Sequence, residues 1–406
     1  MIKKILIIFS VFLILNSGCN RDFPTIPLNT NYRPATALEK KMSGSANSFG
    51  FKIFQKIAET DADSNMFISP LSISFALGMA YNGAAGSTQQ AMHQTLGYEN
   101  MSEQEINETY QSLIQLLTTL DPQVQFDIAN SAWPREDFQI LESYLTILRE
   151  YFKAKIETLD FSDPNAVNII NSWVKENTQG KIEKILEFIP PDAVLYLINA
   201  LYFKGDWTYQ FDPDNTFDSD FTCSDGSIVR CEMMSQKITT GFFTTESFTA
   251  IDLPYGDGHF SMTIFLPDED KRVEDIIIQF TPDNWALWME SFSEQEVDLK
   301  MPKFEISYEI ELKDALTALG MGIAFSGSAD FSRITESLDI FISRVIHKTF
   351  IQVDEVGTEA AAVTAVEFRE TAIGNYMILN RPFIYVIRDH VADNLLFIGI
   401  LSNPDV

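Results

Sequence analysis

The candidates for nucleophilic, acid–base or metal chemistry in this 406-residue chain are four histidines and three cysteines. The histidines are His93, His259, His347 and His390. None begins the His-Glu-x-x-His pattern that sets two imidazoles on one helix face for zinc. The chain also lacks a Gly-x-Ser-x-Gly turn, a phosphate-binding glycine loop and a Cys-x-x-Cys pair. These patterns predict no catalytic site, no metal and no cofactor, so we do not expect an enzyme.

One acidic stretch imitates the start of a calcium loop. Asp61, Asp63 and Asn65 have the required spacing, but Met66 stands where the loop needs glycine and Ser72 where it needs a bidentate glutamate. We therefore expect a helix cap or a turn here.

Two cysteines flank a hairpin signal. Cys223 and Cys231 lie on either side of Ser224-Asp-Gly-Ser227. An oxidising compartment permits a disulfide between them. A two-residue turn at Asp225-Gly226, however, sets Cys223 opposite Ile228, with Cys231 further along the strand. A disulfide and a pair of buried free thiols both remain open.

The chain is strongly acidic, with 57 acidic against 29 basic residues and a formal charge of −28. Such a surface repels phosphate backbones, and no compact Lys/Arg stripe offsets it. We therefore exclude nucleic acid as a partner and a heparin-like polyanion as an activator.

The N-terminus has the pattern of an export signal. Lys3 and Lys4 precede the apolar run Ile5–Leu15, which is shorter than the roughly 20 residues that span a bilayer. The following Asn16-Ser-Gly-Cys19 resembles the bacterial lipobox, which implies cleavage before Cys19 and lipid attachment to its thiol. Asn16 departs from the aliphatic residue usual there. We expect an exported protein, lipid-anchored to a bacterial membrane at the cell surface or in the periplasm. Simple secretion and an uncleaved anchor are the alternatives.

These signals divide the chain into three parts. Residues 1–18 are the signal peptide. Residues 19–45, polar and rich in proline, form a lipidated tether. Residues 46–406 contain no linker, repeat or charge block and form one large domain.

Apolar periodicity changes along this domain. Helical spacing predicts helices over 48–58, 70–81, 87–96, 102–120, 142–151 and 165–177. Short apolar or alternating runs predict strands over 65–69, 260–266, 297–301, 304–308, 383–387 and 395–401. Helices first and strands later favour an α+β fold. Residues 358–376 have no clear packing face and predict a long exposed loop, which in compact domains is usually functional.

Several segments, in order over nearly all of residues 48–405, resemble the serpin family. They are Asn65-Met-Phe-Ile-Ser-Pro-Leu-Ser-Ile-Ser74, Asn82-Gly-Ala-Ala-Gly-Ser-Thr88, Leu197-Ile-Asn-Ala-Leu-Tyr-Phe-Lys-Gly-Asp-Trp207, Met301-Pro-Lys-Phe304, His347-Lys348, Val353-Asp-Glu-Val-Gly-Thr-Glu-Ala-Ala-Ala362 and Asn380-Arg-Pro-Phe383.

The resemblance implies a serpin fold of three β-sheets and about nine helices with a long exposed reactive loop. It implies a monomeric suicide-substrate inhibitor whose partner is a serine protease. The protease attacks the reactive loop as a substrate, and its serine is acylated by the loop. The cut loop then enters the main sheet as a new strand, which traps the covalent complex. The alternative within the family is a non-inhibitory serpin that acts as a binding or chaperone protein.

The loop sequence is compatible with insertion. The resemblance assigns the loop hinge to Gly357, Thr358, Glu359, Ala360, Ala361 and Ala362. From Thr358 to Phe368 every second side chain is uncharged, and the charges of Glu359 and Glu367 fall on the opposite face. A buried charge would obstruct insertion. We also expect Gly357 to supply backbone freedom.

The usual spacing of the family points to one reactive bond. Counting forward from Gly357 and back from Pro382 reaches Thr371, so Thr371–Ala372 is the favoured bond. A small β-branched side chain suits an elastase-like pocket. Arg369 and Glu370 are the alternative reactive residues, for trypsin-like and glutamyl-specific proteases.

The resemblance also implies two groups of supporting residues. Ser69, Ser72, Asn199 and His347 match a polar cluster where the main sheet opens. Trp207, Lys303 and Glu355 match the region where insertion starts, and an ion pair between Lys303 and Glu355 is expected to hold the unreacted hinge.

Overall fold

The structure, a computed structural model, describes residues 32–336, 339–358 and 374–405. Nine α-helices lie in these residues: α1 (Ala37–Asp61), α2 (Pro70–Gly83), α3 (Gly86–Thr95), α4 (Glu103–Leu117), α5 (Glu142–Tyr151), α6 (Ala166–Asn177), α7 (Val273–Ile277), α8 (Pro282–Ser291) and α9 (Lys313–Leu316). The strands are β1 (Met66–Ile68), β2 (Val124–Pro134), β3 (Lys155–Ile156), β4 (Leu195–Asp206), β5 (Phe217–Thr222), β6 (Ile228–Thr244), β7 (Phe248–Tyr255), β8 (Phe260–Pro267), β9 (Ser293–Pro302), β10 (Phe304–Glu311), β11 (Ile346–Val353), β12 (Gly357–Thr358), β13 (Asn375–Ile378), β14 (Phe383–Asp389) and β15 (Leu395–Leu401). No helix of this described part is long and apolar enough to cross a membrane.

Helix α1 begins earlier than the periodicity predicts. Thr36 and Glu39 form a reciprocal capping box, so the helix starts at Ala37 and not near residue 48. Glu39 is fully buried, and Arg33 donates hydrogen bonds to both of its carboxylate oxygens. Residues 37–45, expected to belong to the tether, are therefore part of the folded domain.

The largest sheet has nine strands. Eight follow the order β1-β15-β14-β8-β7-β6-β9-β13, and β5 pairs beside β6. Strand β6 pairs with β5 at its start, with β9 along its middle and with β7 at its end. Because one long strand joins both halves, two of the three sheets expected from the resemblance are continuous in the described residues.

The second sheet has the order β10-β11-β12-β4-β2-β3. Strand β12 is only two residues long and lies between β11 and β4. The inner face of this six-stranded sheet packs on the main core, which includes α1 and α2. Its outer face carries a smaller core under α6, formed by residues such as Trp133, Trp173, Ile198 and Ala200.

The predicted helices 70–81, 87–96, 102–120, 142–151 and 165–177 correspond to α2 to α6 with small shifts at their ends. The calcium-like stretch is the end of α1 and the following turn, as expected: Asp61 accepts a hydrogen bond from the Tyr308 hydroxyl, and Asn65 binds the backbone at Asn403. The loop predicted over 358–376 is shorter at both ends, because Thr358 lies in β12 and Asn375 begins β13.

The hairpin between β5 and β6 shows whether Cys223 and Cys231 can form a disulfide. Ile228 pairs with Thr222, one residue before the expected Cys223, and Cys231 pairs with Ser219. Cys223 and Cys231 are therefore separated by four residues along the ladder, about 13 Å. A disulfide requires Cα atoms within about 7 Å. Both cysteines are free and buried.

Candidate functional site

The short strand β12 joins two strands that would otherwise be neighbours. Thr358 pairs with Val353 of β11 on one side and with Gly205 of β4 on the other. The preceding turn is held by backbone hydrogen bonds from Trp207 to Val356 (2.8 Å) and from Phe211 to Glu355 (2.8 Å). The chain therefore enters the six-stranded sheet at the expected hinge.

The side chain of Thr358 points into the core. Thr358 is 4% exposed, and its hydroxyl lies 2.7 Å from the Tyr255 hydroxyl. The Tyr255 ring stacks on the Trp207 ring at a centroid distance of 4.4 Å. The Trp207 indole donates a hydrogen bond to the Asp354 carbonyl (3.0 Å). Thr358 thus fixes which face of β12 is directed inward.

Gly357 is required for space and not for backbone freedom. A Cβ atom at this position would lie 2.2 Å from the Gly205 carbonyl oxygen and 2.6 Å from the Asp206 Cα. Its φ angle is not positive, in contrast to glycines such as Gly256. The hinge glycine lets β12 approach the backbone of β4, which corrects the reason expected from the sequence.

The expected ion pair is present above the hinge. The Lys303 Nζ lies 3.5 Å from Glu355 Oε2 and 3.2 Å from Glu232 Oε2. Thr216 donates a hydrogen bond to Glu355 Oε1 (2.7 Å). Burial alone raises the pKa of Glu355, but the hydrogen bond from Thr216 and the charge of Lys303 outweigh it and lower this pKa. Glu355 is held ionised beside the hinge turn.

Below the hinge, a groove of about 520 Å³ runs between β4 and β11 in the described residues. Both strands run toward the hinge, and their inward residues alternate with residues of the outer face, which α6 covers at β4. The groove is lined by apolar side chains such as Leu197, Leu201 and Ile351 and by all four residues of the predicted polar cluster. A groove with this lining, between two strands, can bury one face of an extended segment.

Three members of this cluster are hydrogen-bonded in a row. The Ser69 backbone N–H donates to His347 Nε2 (2.9 Å), and the Ser69 hydroxyl donates to the Leu396 carbonyl (2.7 Å). The Ser72 N–H donates to the Ser69 hydroxyl (3.1 Å), which caps α2. Burial lowers the pKa of His347 to about 3. His347 is therefore neutral at physiological pH, as an acceptor at Nε2 must be.

The fourth member, Asn199, lies on the facing strand β4. Its amide group donates to Asn130 Oδ1 (2.9 Å), and Asn130 donates in turn to the Phe152 carbonyl (2.8 Å). The buried Oδ1 of Asn199 has no hydrogen-bond partner. An inward-facing donor arriving between Asn199 and His347 would satisfy this oxygen.

The remaining predicted site residues lie outside the described residues. These are Glu359, Ala360, Ala361, Ala362, Arg369, Glu370, Thr371, Ala372 and the lipid-attachment residue Cys19.

One serine–histidine–aspartate grouping exists on the other sheet, but its geometry is not that of a hydrolase. Ser261 is fully buried and donates to Asp252 Oδ1 (2.8 Å), and His390 Nε2 lies 2.9 Å from the Ser261 hydroxyl. The same Nε2 is the atom nearest Asp252, at 3.6 Å. In a catalytic triad the acid binds the other ring nitrogen and the serine meets substrate. This grouping links β7 and β8 to His390, the residue that follows β14.

Tyr255, Thr216 and Asn130 are site residues that the sequence did not single out as functional. Tyr255 lies in a further family-like segment, Leu253-Pro-Tyr255, but the resemblance assigned it no role, and Thr216 and Asn130 lie in none of the family-like segments. Their partners are 103, 139 and 69 positions away in the chain, so no local pattern indicates them.

Comparison with known proteins agrees with this geometry. The family model described as Serpin (serine protease inhibitor) matches residues 44–404. Human Serpin I2 is 32% identical over 366 residues, covering 88% of this chain and 90% of that protein. The native crystal structure of the thermophilic serpin Tengpin superposes with a TM-score of 0.83 at 33% identity, covering 92% of this chain and 96% of that one. Human thyroxine-binding globulin superposes with a TM-score of 0.84 at 29% identity, covering 91% and 100%. Members of the matched family are generally protease inhibitors and not enzymes. This chain belongs to the serpin family.

Proposed function

We propose that this serpin is a suicide-substrate inhibitor of an elastase-like serine protease. The loop after Thr358 is attacked as a substrate, the serine of the protease forms an ester with the reactive residue, and the peptide bond breaks. The freed loop then extends β12 along the groove between β4 and β11. The observation that carries the proposal is that Thr358 already pairs with both neighbouring strands, and Gly357 with β4.

The register of β12 supports a specific insertion path. Continued from Thr358, it sets Thr364 opposite Asn199 on β4 and opposite His347 on β11. Thr364 faces inward because it lies an even number of residues after Thr358. Its hydroxyl is a suitable donor for the unpaired Oδ1 of Asn199. The middle of the loop thus complements the polar cluster chemically.

Thr371–Ala372 is the favoured reactive bond, with Arg369 and Glu370 as alternatives. Proteases of elastase-like, trypsin-like and glutamyl-specific types should be mixed separately with the protein. The mass of the C-terminal fragment, separated from the complex by denaturation, then identifies the bond. A fragment that begins at Ala372 supports the elastase-like assignment, and a fragment that begins at Glu370 or Thr371 overturns it.

A matched pair of loop variants tests insertion. Thr364→Arg directs a guanidinium toward Asn199 and His347, whereas Ala365→Arg directs the same charge to the opposite face. After mixing with the protease, a covalent complex that survives SDS should form with the wild type and with Ala365→Arg. Thr364→Arg should be cleaved without a complex. Equal complex formation by both variants would contradict insertion along this path.

The rival function is binding without inhibition. The similar thyroxine-binding globulin has been solved in complex with thyroxine, so the fold also supports ligand carriage. Clean cleavage of the wild-type loop by every protease tested, with no SDS-stable complex, would favour this rival.

We also propose that Cys19 anchors the protein to a bacterial membrane. The lipobox-like Asn16-Ser-Gly-Cys19 supports this location. Cys19→Ala should move the protein from the membrane fraction to the soluble fraction or leave it unprocessed. Normally processed variant protein in the membrane fraction would exclude lipidation.

A further inference from the structure

The first described residues of the chain are tied to the body by a buried ion pair. Arg33 donates hydrogen bonds to both carboxylate oxygens of Glu39 and to the carbonyl of Ser112 in α4 (3.0 Å). The Glu39 carboxylate also accepts hydrogen bonds from the Ser112 hydroxyl and the Thr36 N–H. Burial alone raises the pKa of Glu39, but these hydrogen bonds outweigh it and lower the pKa to about 2. Residues 32–36, which we call the N-terminal strap, are therefore fixed against α1 and α4.

The strap also covers a buried histidine. The ring of Tyr32 meets the ring of His259 edge to face, at a centroid distance of 4.5 Å. His259 is 1% exposed, and its Nε2 has no hydrogen-bond partner among the described residues. Packing, and not a hydrogen bond at this nitrogen, therefore holds the imidazole in place. The ring of Tyr32 supplies part of that packing, so its loss would leave His259 less firmly held.

The buried histidine belongs to the turn that forms one wall of the hinge. This turn, residues 256–259, joins β7 to β8. Gly256 donates a backbone hydrogen bond to Asp206 (2.9 Å), which ties the turn to the end of β4. Tyr255, the last residue of β7, immediately precedes the turn, and its hydroxyl lies 2.7 Å from the Thr358 hydroxyl. The strap therefore contacts one end of this turn, and the hinge contacts the other.

We propose that the N-terminal strap is a conformational control element that sets how readily the hinge opens. Packing of Tyr32 on His259 holds the 256–259 turn, and the turn holds Tyr255 in contact with Thr358. Lifting the strap off the body would loosen the turn and weaken the hold on Thr358, because the coupling is carried by a continuous series of packed and hydrogen-bonded residues. The inference concerns the hinge before any cleavage and does not require that the loop inserts.

Hydrogen exchange of backbone amides in the full chain tests this coupling without any protease. Tyr32→Ala removes the ring, whereas Tyr32→Phe keeps it and is the matched control. The amide of Trp207, which donates to Val356, reports on the hinge turn, and the amide of Gly256, which donates to Asp206, reports on the hinge wall. In Tyr32→Ala both amides should exchange about five- to tenfold faster than in the wild type, the scale expected for loss of one edge-to-face aromatic contact. In Tyr32→Phe both should exchange at the wild-type rate.

A charge variant tests the same coupling from the other side of the strap. Arg33→Gln leaves the buried carboxylate of Glu39 without its cation, which weakens the attachment of the strap to the body. Exchange should then become faster in the first turn of α1 and also at Gly256 and Trp207. Faster exchange confined to the first turn of α1 would show that the ion pair only caps the helix, and would contradict the coupling.

The results separate this inference from the proposed function. Wild-type exchange at Trp207 and Gly256 in Tyr32→Ala would overturn the control of the hinge by the strap and leave the proposed inhibition standing. Equal acceleration in Tyr32→Phe would also overturn it, because the packing ring is still present in that variant. Failure of the wild type to form a covalent complex with any protease would remove the proposed inhibition, whereas the strap would still be supported by faster exchange in Tyr32→Ala alone.

Discussion

The two sheets of this serpin differ in how their strands are buried. Every residue of β8, β14 and β15 in the nine-stranded sheet is buried. In the six-stranded sheet, β11 alternates strictly between buried and partly exposed residues, and β4 has a similar mixture. Strand β14 pairs with β8 and β15 along nearly its whole length, whereas β4 and β11 are joined in the described residues only through the two-residue β12.

This difference suggests that one sheet stabilises the fold and that the other can change its arrangement of strands. A strand packed on both faces and paired along both edges cannot shift without exposing its whole surface. A sheet with a groove between two strands can accept another strand while its existing contacts persist. We infer that the nine-stranded sheet stabilises the fold and that the proposed insertion of the loop takes place in the six-stranded sheet.

The largest effect of a single substitution should therefore fall on the nine-stranded sheet. Ile398→Ala in β15, a fully buried site, should lower the free energy of unfolding by about 2–5 kcal/mol. Leu201→Ala in β4, at the partly exposed edge of the groove, should lower it by only about 1 kcal/mol. Urea unfolding of both variants measures this difference. Equal losses would contradict the division between the two sheets.

Acid pH should act on the polar cluster of the six-stranded sheet. The pKa of His347 is about 3 in the folded protein and ordinarily about 6.5, so neutral His347 stabilises the fold fully above pH 6.5. This contribution is lost as pH falls toward 3. It should amount to a loss of about 2 kcal/mol between pH 6.5 and pH 5, because the unfolded chain binds a proton at this imidazole while the buried His347 of the folded protein stays neutral.

A matched histidine in the other sheet sharpens this test. Burial, together with the charge of Arg388, also lowers the pKa of His390. His347→Gln keeps an acceptor for Ser69. It should make the free energy of unfolding less sensitive to acid pH. It should also make the rate at which the stored protein loses its inhibitory activity, without any protease present, less sensitive to acid pH. His390→Gln should change only the acid sensitivity of unfolding. If spontaneous inactivation kept its full pH dependence in His347→Gln, the cluster would not control opening of the sheet.

The smallest effect should come from the ion pair at the hinge. Lys303 is partly exposed, and its attraction to Glu355 is shared with Glu232, so Lys303→Ala should cost only about 0.5 kcal/mol of stability. Its effect should appear instead as faster spontaneous loss of inhibition, measured at constant temperature. Glu232→Gln is the control, because Glu232 does not belong to the hinge turn. Equal inactivation rates for the wild type and Lys303→Ala would show that the Lys303–Glu355 ion pair does not hold the hinge in its unreacted position.

Much of the fold could be predicted from the sequence because its elements have clear local signals. Pro70 after the capping residue Ser69 marks the start of α2, and alternation marks β8 and β10. Alternation was not recognised in β4 and β11. Both faces of β4 are largely apolar, because α6 packs against the outer one, and β11 has polar residues on both of its faces. The early start of α1 depends on Arg33 and Ser112 around the buried Glu39, which are contacts that periodicity does not reveal.

The candidate site was only partly predictable for a similar reason. The family motifs indicated Ser69, Asn199, His347, Lys303 and Glu355, and the structure shows where each lies. They did not indicate that Tyr255 holds Thr358 or that Gly357 is constrained by the backbone of Gly205. Such contacts are made across the sheets by residues far apart in sequence, so only the folded arrangement reveals them.

The central claim is that the loop becomes a strand of the six-stranded sheet. Thermal unfolding of the intact protein and of protein cleaved at the loop tests it most directly. Insertion from Thr358 to Phe368 adds backbone hydrogen bonds worth about 0.5–1.5 kcal/mol each and buries one face of the segment. The cleaved protein should therefore unfold at a markedly higher temperature than the intact protein. An unchanged or lower unfolding temperature after cleavage would contradict the account.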